Sequence, residues 1–212
     1  MVAAGLLAFT APGLQVPAAH AQSDLRKTFP GRRVGGGTRD ECSSRLLAHL
    51  VPASSVFAPG QDRYLGVLEG PSASPSPLEL TFRPLSGWGS AGAAVATGQR
   101  RVLPASQPGI TLLTLPAVKV PTVWESNYIC PQAPATPAQT DPLSFVATES
   151  PPALSLLVME ASKEDGAVKA ALALLQRSCG GSVSRQEALD AFGLSDLITV
   201  RWPERIPVRC PA

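Results

Sequence analysis

Alternation of apolar and polar side chains is clearest in the middle of the chain. Leu78-Glu79-Leu80-Thr81-Phe82 changes character at every residue, the two-residue period of a half-buried strand. Thr122 to Cys130 does the same over a longer stretch. It places Val123, Glu125, Asn127 and Ile129 on one face and Trp124, Ser126, Tyr128 and Cys130 on the other. Arg63 to Leu68 and Gly109 to Leu115 are apolar runs of strand length, the second ended by Pro116. Ala91 to Ala96, Leu143 to Thr148 and Ala153 to Glu160 read as further strands. Proline- and serine-rich loops such as Pro71 to Pro77 separate them, with no helical period between. Short strands joined in this way predict a mainly antiparallel β-sandwich of immunoglobulin-like type across residues 63–160.

The period changes at Ser162. Val168, Ala171, Leu172 and Leu175 form one apolar helix stripe, with Ser162 and Asp165 spaced as a capping box and Gly180-Gly181 as the stop. Ser184-Arg185-Gln186-Glu187 caps a second, short helix carrying Ala188, Leu189 and Phe192 and ending at Gly193. The tail from Leu197 to Cys210 reads as extended, broken by Pro203 and Pro207. The predicted class is therefore α+β, a sandwich with a C-terminal helix pair and a disulfide-tied tail in residues 161–212. Ahead of the sandwich, residues 22–62 hold a polar, frayed arm over Gln22 to Phe29 and a glycine-arginine segment. A short apolar turn, Arg45 to Pro52, and a loop follow.

Residues 1–21 carry no charged side chain. An apolar run from Val2 to Phe9 leads to Ala19-His20-Ala21, the pattern of a cleaved signal peptide with Gln22 as the mature start. Pro12, Gly13, Gln15 and Pro17 leave far fewer than the ~20 apolar residues of a membrane span. The expected location is periplasmic or secreted, with no stable membrane span after cleavage. Of all residues 44% are apolar and 16% charged, which fits a packed core. A net charge of +2 with scattered arginines argues against nucleic acid as partner.

Four cysteines, Cys42, Cys130, Cys179 and Cys210, lie beyond the leader. An even count in an exported chain reads as two disulfides, with three possible connectivities. None is spaced C-x-x-C and His49 is the one histidine after residue 21, so neither a metal site nor a cofactor is expected.

Candidate chemistry is sparse. Gly35-Gly36-Gly37-Thr38-Arg39, flanked by Arg32 and Arg33, is the candidate ligand site: backbone N–H groups and guanidiniums around an anion such as an acidic glycan. The competing reading is that these glycines serve a bulge or crossing loop. Gly87 to Gly92 matches G-x-G-x-x-G, but the stretch from Gln99 to Val120 holds no acidic residue for a ribose, so it reads as a glycine-rich hairpin. Any hydrolase triad must use His49, which sits in an apolar run where a packed histidine is commoner. Trp88, Trp124 and Trp202 form a possible sugar-stacking face, against a core role for Trp124 and a covering role over the last disulfide for Trp202.

Arg33 to Arg39, Cys42 and Leu50-Val51-Pro52 resemble the opening of the domain-of-unknown-function family 928, which consists chiefly of cyanobacterial exported proteins. Pro108-Gly109-Ile110 with Leu115-Pro116, the aromatic strand with Trp124, Tyr128 and Cys130, and the helix pair ending near Phe192-Gly193-Leu194 are also similar. The chain departs from that pattern between Ser144 and Glu149, where the family carries a glycine-tryptophan pair. The resemblance implies export and carries over no catalytic residue. It implies a Cys42–Cys130 pairing, because both cysteines lie in family-like segments. Cys179 and Cys210, both beyond the sandwich, then pair with each other. The expected function is a non-enzymatic binding or interaction module of the cell envelope, with an envelope protein or an anionic glycan as partner. The alternatives are an envelope hydrolase using His49 and an anion binder using the Gly35–Gly37 loop.

Overall fold

The computed structural model describes residues 24–36, 42, 45–87, 98–130 and 151–210. The strands in chain order are β1 (Val34–Gly35), β2 (Leu47–His49), β3 (Val56–Phe57), β4 (Tyr64–Glu69), β5 (Leu78–Pro84), β6 (Gln99–Leu103), β7 (Gly109–Thr114), β8 (Thr122–Tyr128), β9 (Ala153–Leu157), β10 (Ser182–Ser184) and β11 (Arg205–Arg209). Residues 24–28 form a helical turn, α1; α2 (Lys163–Arg177) and α3 (Arg185–Asp190) are the expected C-terminal pair.

The strands build a two-layer sandwich. The first sheet runs β1-β2-β4-β7-β11-β10 and the second β3-β9-β8-β5-β6. Pairing is mainly antiparallel, as expected, with two parallel pairs, β11 with β7 and β3 with β9. Both parallel pairs join strands far apart in sequence, so the chain has room to return and enter in the same direction. Leu65, Val67 and Ile110 from one sheet and Leu80, Trp124 and Leu157 from the other share a single core.

Period and burial agree. In β5, Leu78, Leu80 and Phe82 are buried and the residues between them are half-buried, so one face is turned to solvent. The inward face of β8 is Trp124, Ser126 and Tyr128. By contrast β4 and β7 are buried along nearly their whole length, because α2 lies against the side away from the second sheet. Val168, Ala171, Leu172 and Leu175, the predicted stripe, are the apolar residues α2 buries.

The sandwich also draws strands from outside residues 63–160: β1, β2 and β3 before it and β10 and β11 after it. Arg45 to Pro52, expected as a turn, contains β2, which is buried on both faces and so shows no alternation. The tail from Leu197, expected to be extended and broken by Pro203 and Pro207, leaves a 3-10 turn at Ser195–Leu197 and turns again at Val200 and Arg201 before β11. The expectation of a frayed arm up to Phe29 fails from residue 24 onward. Leu25 and Phe29 pack on a second, smaller cluster of Val56, Ala58, Val123, Leu156 and Val158. The Arg26 guanidinium anchors the turn, donating to the Val56 carbonyl (3.1 Å), the Glu160 carbonyl (2.9 Å) and Asp165 Oδ2 (2.7 Å). Asp165, fully buried, also accepts from the backbone N–H groups of Ser162 (2.6 Å) and Ala58 (3.3 Å).

Disulfides Cys42–Cys130 and Cys179–Cys210 are both formed, with Cα separations of 5.8 and 5.6 Å. Among the described residues, no helix is long and apolar enough to cross a membrane. The expected leader at residues 1–21 and the expected strands at Ala91 to Ala96 and Leu143 to Thr148 lie outside the described residues.

Candidate functional site

The glycine-arginine segment is built into the scaffold as far as it is described. Gly35 pairs with Leu47, and a Cβ there would stand 2.5 Å from the Ala153 nitrogen, so only glycine lets the two layers approach this closely. Gly36 has φ +101°, and its Cβ would stand 2.6 Å from the Arg45 carbonyl oxygen. The Arg33 guanidinium donates to the carbonyls of Val51 (2.9 Å), Phe192 (2.7 Å) and Gly193 (3.0 Å). It thereby satisfies carbonyls just beyond α3. Half-burial lowers the Arg33 pKa, with Asp196 opposing. Arg32 is exposed, and its backbone bridges Leu154. Gly37, Thr38 and Arg39 lie outside the described residues, as do Trp88 and most of the G-x-G-x-x-G match.

His49 has no exposed surface. Its Nδ1 lies 2.8 Å from Ser155 Oγ and its Nε2 2.8 Å from Ser126 Oγ. The ring stacks on Trp124 with centroids 3.5 Å apart. A neutral imidazole has one donor and one acceptor nitrogen, and two hydroxyls can serve both. Burial holds the His49 pKa well below the usual histidine value. β2 thus contributes a polar pin that spans the core to β8 and β9. Trp124 is fully buried and Trp202 5% exposed, so neither offers a sugar-stacking face.

The polar constellation that does reach solvent was missed by the sequence reading. Glu69 ends β4, and its side chain is 1% exposed. Its Oε2 accepts from Ser106 Oγ (2.7 Å) and lies 3.5 Å from Arg209 Nη2. Its Oε1 faces Arg45 Nη1 at 3.2 Å, out of hydrogen-bond alignment. Arg45 is equally buried. It donates to the carbonyls of Gly70 (2.8 Å) and Ser106 (2.7 Å), and its guanidinium carbon lies 5.1 Å from the Tyr128 ring centroid. Arg209 sits on β11 opposite Thr111 of β7. Its Nη2 donates to Ser106 Oγ (3.0 Å) and the Gln107 carbonyl (2.8 Å), and its Nε to Thr111 Oγ1 (3.4 Å). Burial raises the Glu69 pKa, while Ser106, Arg45 and Arg209 oppose the rise. Burial likewise raises the Tyr128 pKa.

Glu69, Ser106, Thr111 and Arg209 border a cleft of about 400 Å³, lined also by Leu103, Pro104, Pro207 and Val208 and reaching the Cys179–Cys210 disulfide at Cys210. Such a volume suits a small molecule. The Ser106 hydroxyl donates to Glu69 and accepts from Arg209, which fixes its orientation between the two charges. With Glu69 ionised, two guanidiniums against one carboxylate leave one positive charge, and only Arg209, 29% exposed, meets water. The clue in the sequence was an acidic residue closing an apolar strand, since a carboxylate in so buried an element requires a cation. No metal-binding group of three or more His, Cys, Asp or Glu occurs among the described residues.

No protein-family model matches the chain, and neither a curated protein nor a solved structure does.

Proposed function

We propose that the chain is an exported, non-enzymatic binding module of the cell envelope that takes its ligand in the Glu69–Arg209 cleft. The observation that carries the reading is the cleft itself. Its donors and acceptors are held in fixed positions by neighbouring backbone and hydroxyl groups, and its hydroxyl is already engaged on both sides. His49, the one histidine after residue 21, is sealed in the core, which favours binding over hydrolysis. Export is supported by the apolar leader with its A-x-A site, by two disulfides and by the resemblance to domain-of-unknown-function family 928.

The test is a ligand panel of monocarboxylates, sugar acids, nucleotides and short peptides presented to the purified protein, read by hydrogen–deuterium exchange and by recovery of each compound. Slower exchange in residues 104–111 and 205–210, with the compound recovered unchanged, supports the reading. Turnover of any compound, or no protection from the whole panel, sinks it.

A further inference from the structure

We infer that the cleft selects small organic monocarboxylates, with the carboxylate on the Arg209 guanidinium and the apolar tail along Pro104 and Pro207. The inference rests on the binding reading above and specifies its ligand. Three observations lead to it.

The first is the allocation of donors. Arg209 spends Nε on Thr111 and Nη2 on Ser106 and Gln107, while Nη1, packed beside Gly109, makes no hydrogen bond among the described residues. The side chain is therefore fixed along one edge, stays 29% exposed and keeps the Nη1 hydrogens unspent. A guanidinium held in this way is pre-organised for an oxyanion and loses little further freedom on binding it.

The second is charge. Arg45 and Glu69 face each other out of water, so their charges largely offset, and among the described residues lining the cleft Arg209 is left as the one cation in contact with solvent. One accessible positive charge matches one negative charge. A dianion would bring a second charge into walls that offer no second free cation.

The third is the wall. Pro104 and Pro207 present aliphatic surface over the buried Leu103, and a bare inorganic anion would leave it wet. An aliphatic or aromatic tail covers it. A free acid and the apolar C-terminal residue of a peptide share this chemistry.

Titration calorimetry on the full chain separates the possibilities with hexanoate, benzoate, hexanol, hexylamine and inorganic phosphate. A short peptide ending in valine, as free acid and as amide, distinguishes the two sources of carboxylate. Hexanoate and benzoate are expected to bind, with hexanol and hexylamine weaker by about tenfold or more, the worth of a charge-assisted hydrogen bond. Phosphate should be weak for want of a tail. Arg209→Gln should lose about tenfold or more for hexanoate, Arg209→Lys less, and Arg83→Gln, on the outer face of the other sheet, nothing. Equal binding of hexanol and hexanoate overturns the inference, as does unchanged hexanoate affinity in a folded Arg209→Gln protein. If that variant fails to fold, the ligand series on the unaltered protein decides alone. Protection of the cleft by another compound class refutes the carboxylate assignment and leaves the binding reading standing. No protection by any class removes both.

Discussion

His49 shows at residue scale how one polar side chain can organise a core. Its pKa is depressed by burial, so the folded protein keeps the ring neutral while the unfolded chain takes up a proton below the ordinary histidine value of 6.5. The unfolded state then binds more protons, and stability contributed by His49 is complete above that value and lost as pH falls. Glu69 acts in the opposite sense. Its raised pKa means that the folded state holds the proton longer, so stability declines as pH rises just above the ordinary carboxylate value of 4.5. The two windows overlap, and comparison with His49→Gln removes the Glu69 contribution. The stability difference between the unaltered protein and His49→Gln should shrink by roughly 2 kcal/mol from about pH 7.5 to about pH 5, on linkage of about 1.4 kcal/mol per pH unit. Urea titrations across that range measure it, and a constant difference would refute the buried neutral pin. Gly35 gives a second prediction. Gly35→Ala should cost roughly 1–3 kcal/mol, because its Cβ would collide with the β9 backbone and not with a movable side chain. A denaturation midpoint within error of the unaltered protein contradicts this. The packed role of His49 was legible from its apolar neighbours. The serines that hold it were not, because they come from strands 77 and 106 residues further along the chain.

Elements were legible where one period held over several turns or strand residues. The stripe of α2 and the alternation of β5 and β8 were of this kind. β2 and β11 were obscured for opposite reasons: β2 is covered on both faces, while β11 contains Pro207 and reads as broken tail. Pro207 is tolerated because the β7 pairing engages Val208 and Arg209, the two residues after it. Arg209 became visible as a site residue only once that parallel pairing set it opposite Thr111. The β11 strand is held at its end by Cys179–Cys210, which ties it to the residues following α2. Replacing both cysteines by serine should cost roughly 3–4 kcal/mol for a loop of 31 residues. Hydrogen exchange should quicken in residues 205–209 before it does in β4. Uniform change across both elements would mean that the bond stabilises the fold without fixing β11. At the other end, Arg26→Ala leaves the buried Asp165 carboxylate without its cation, a loss of roughly 3–5 kcal/mol if the pair is as enclosed as its geometry indicates. A midpoint shift worth less than about 1 kcal/mol would place this pair among the weak surface bridges instead.

For the whole molecule, the question is what keeps two sheets together when edge strands come from the two ends of the chain. The shared core is one answer. Beside the His49 pin, Cys42–Cys130 is another, since it joins the segment that enters β2 of the first sheet to the end of β8 in the second. The enclosed loop spans 88 residues, so the unfolded chain loses much of its freedom, and the chain-entropy account assigns the bond roughly 4–5 kcal/mol. Together with the shorter loop this approaches the whole stability of a typical domain, about 5–15 kcal/mol. Cys42→Ser/Cys130→Ser should therefore lower stability more than Cys179→Ser/Cys210→Ser, and reduction of both bonds should leave the chain largely unfolded near body temperature. Guanidinium titrations of the oxidised protein, the two double variants and the reduced protein supply the comparison. If the reduced protein keeps the oxidised midpoint, the core alone holds the sandwich, and the disulfides no longer argue for an oxidising compartment on grounds of need. If the ranking of the two double variants is inverted, native-state geometry around Cys179–Cys210 outweighs loop length, and the bond beside the cleft becomes the principal staple.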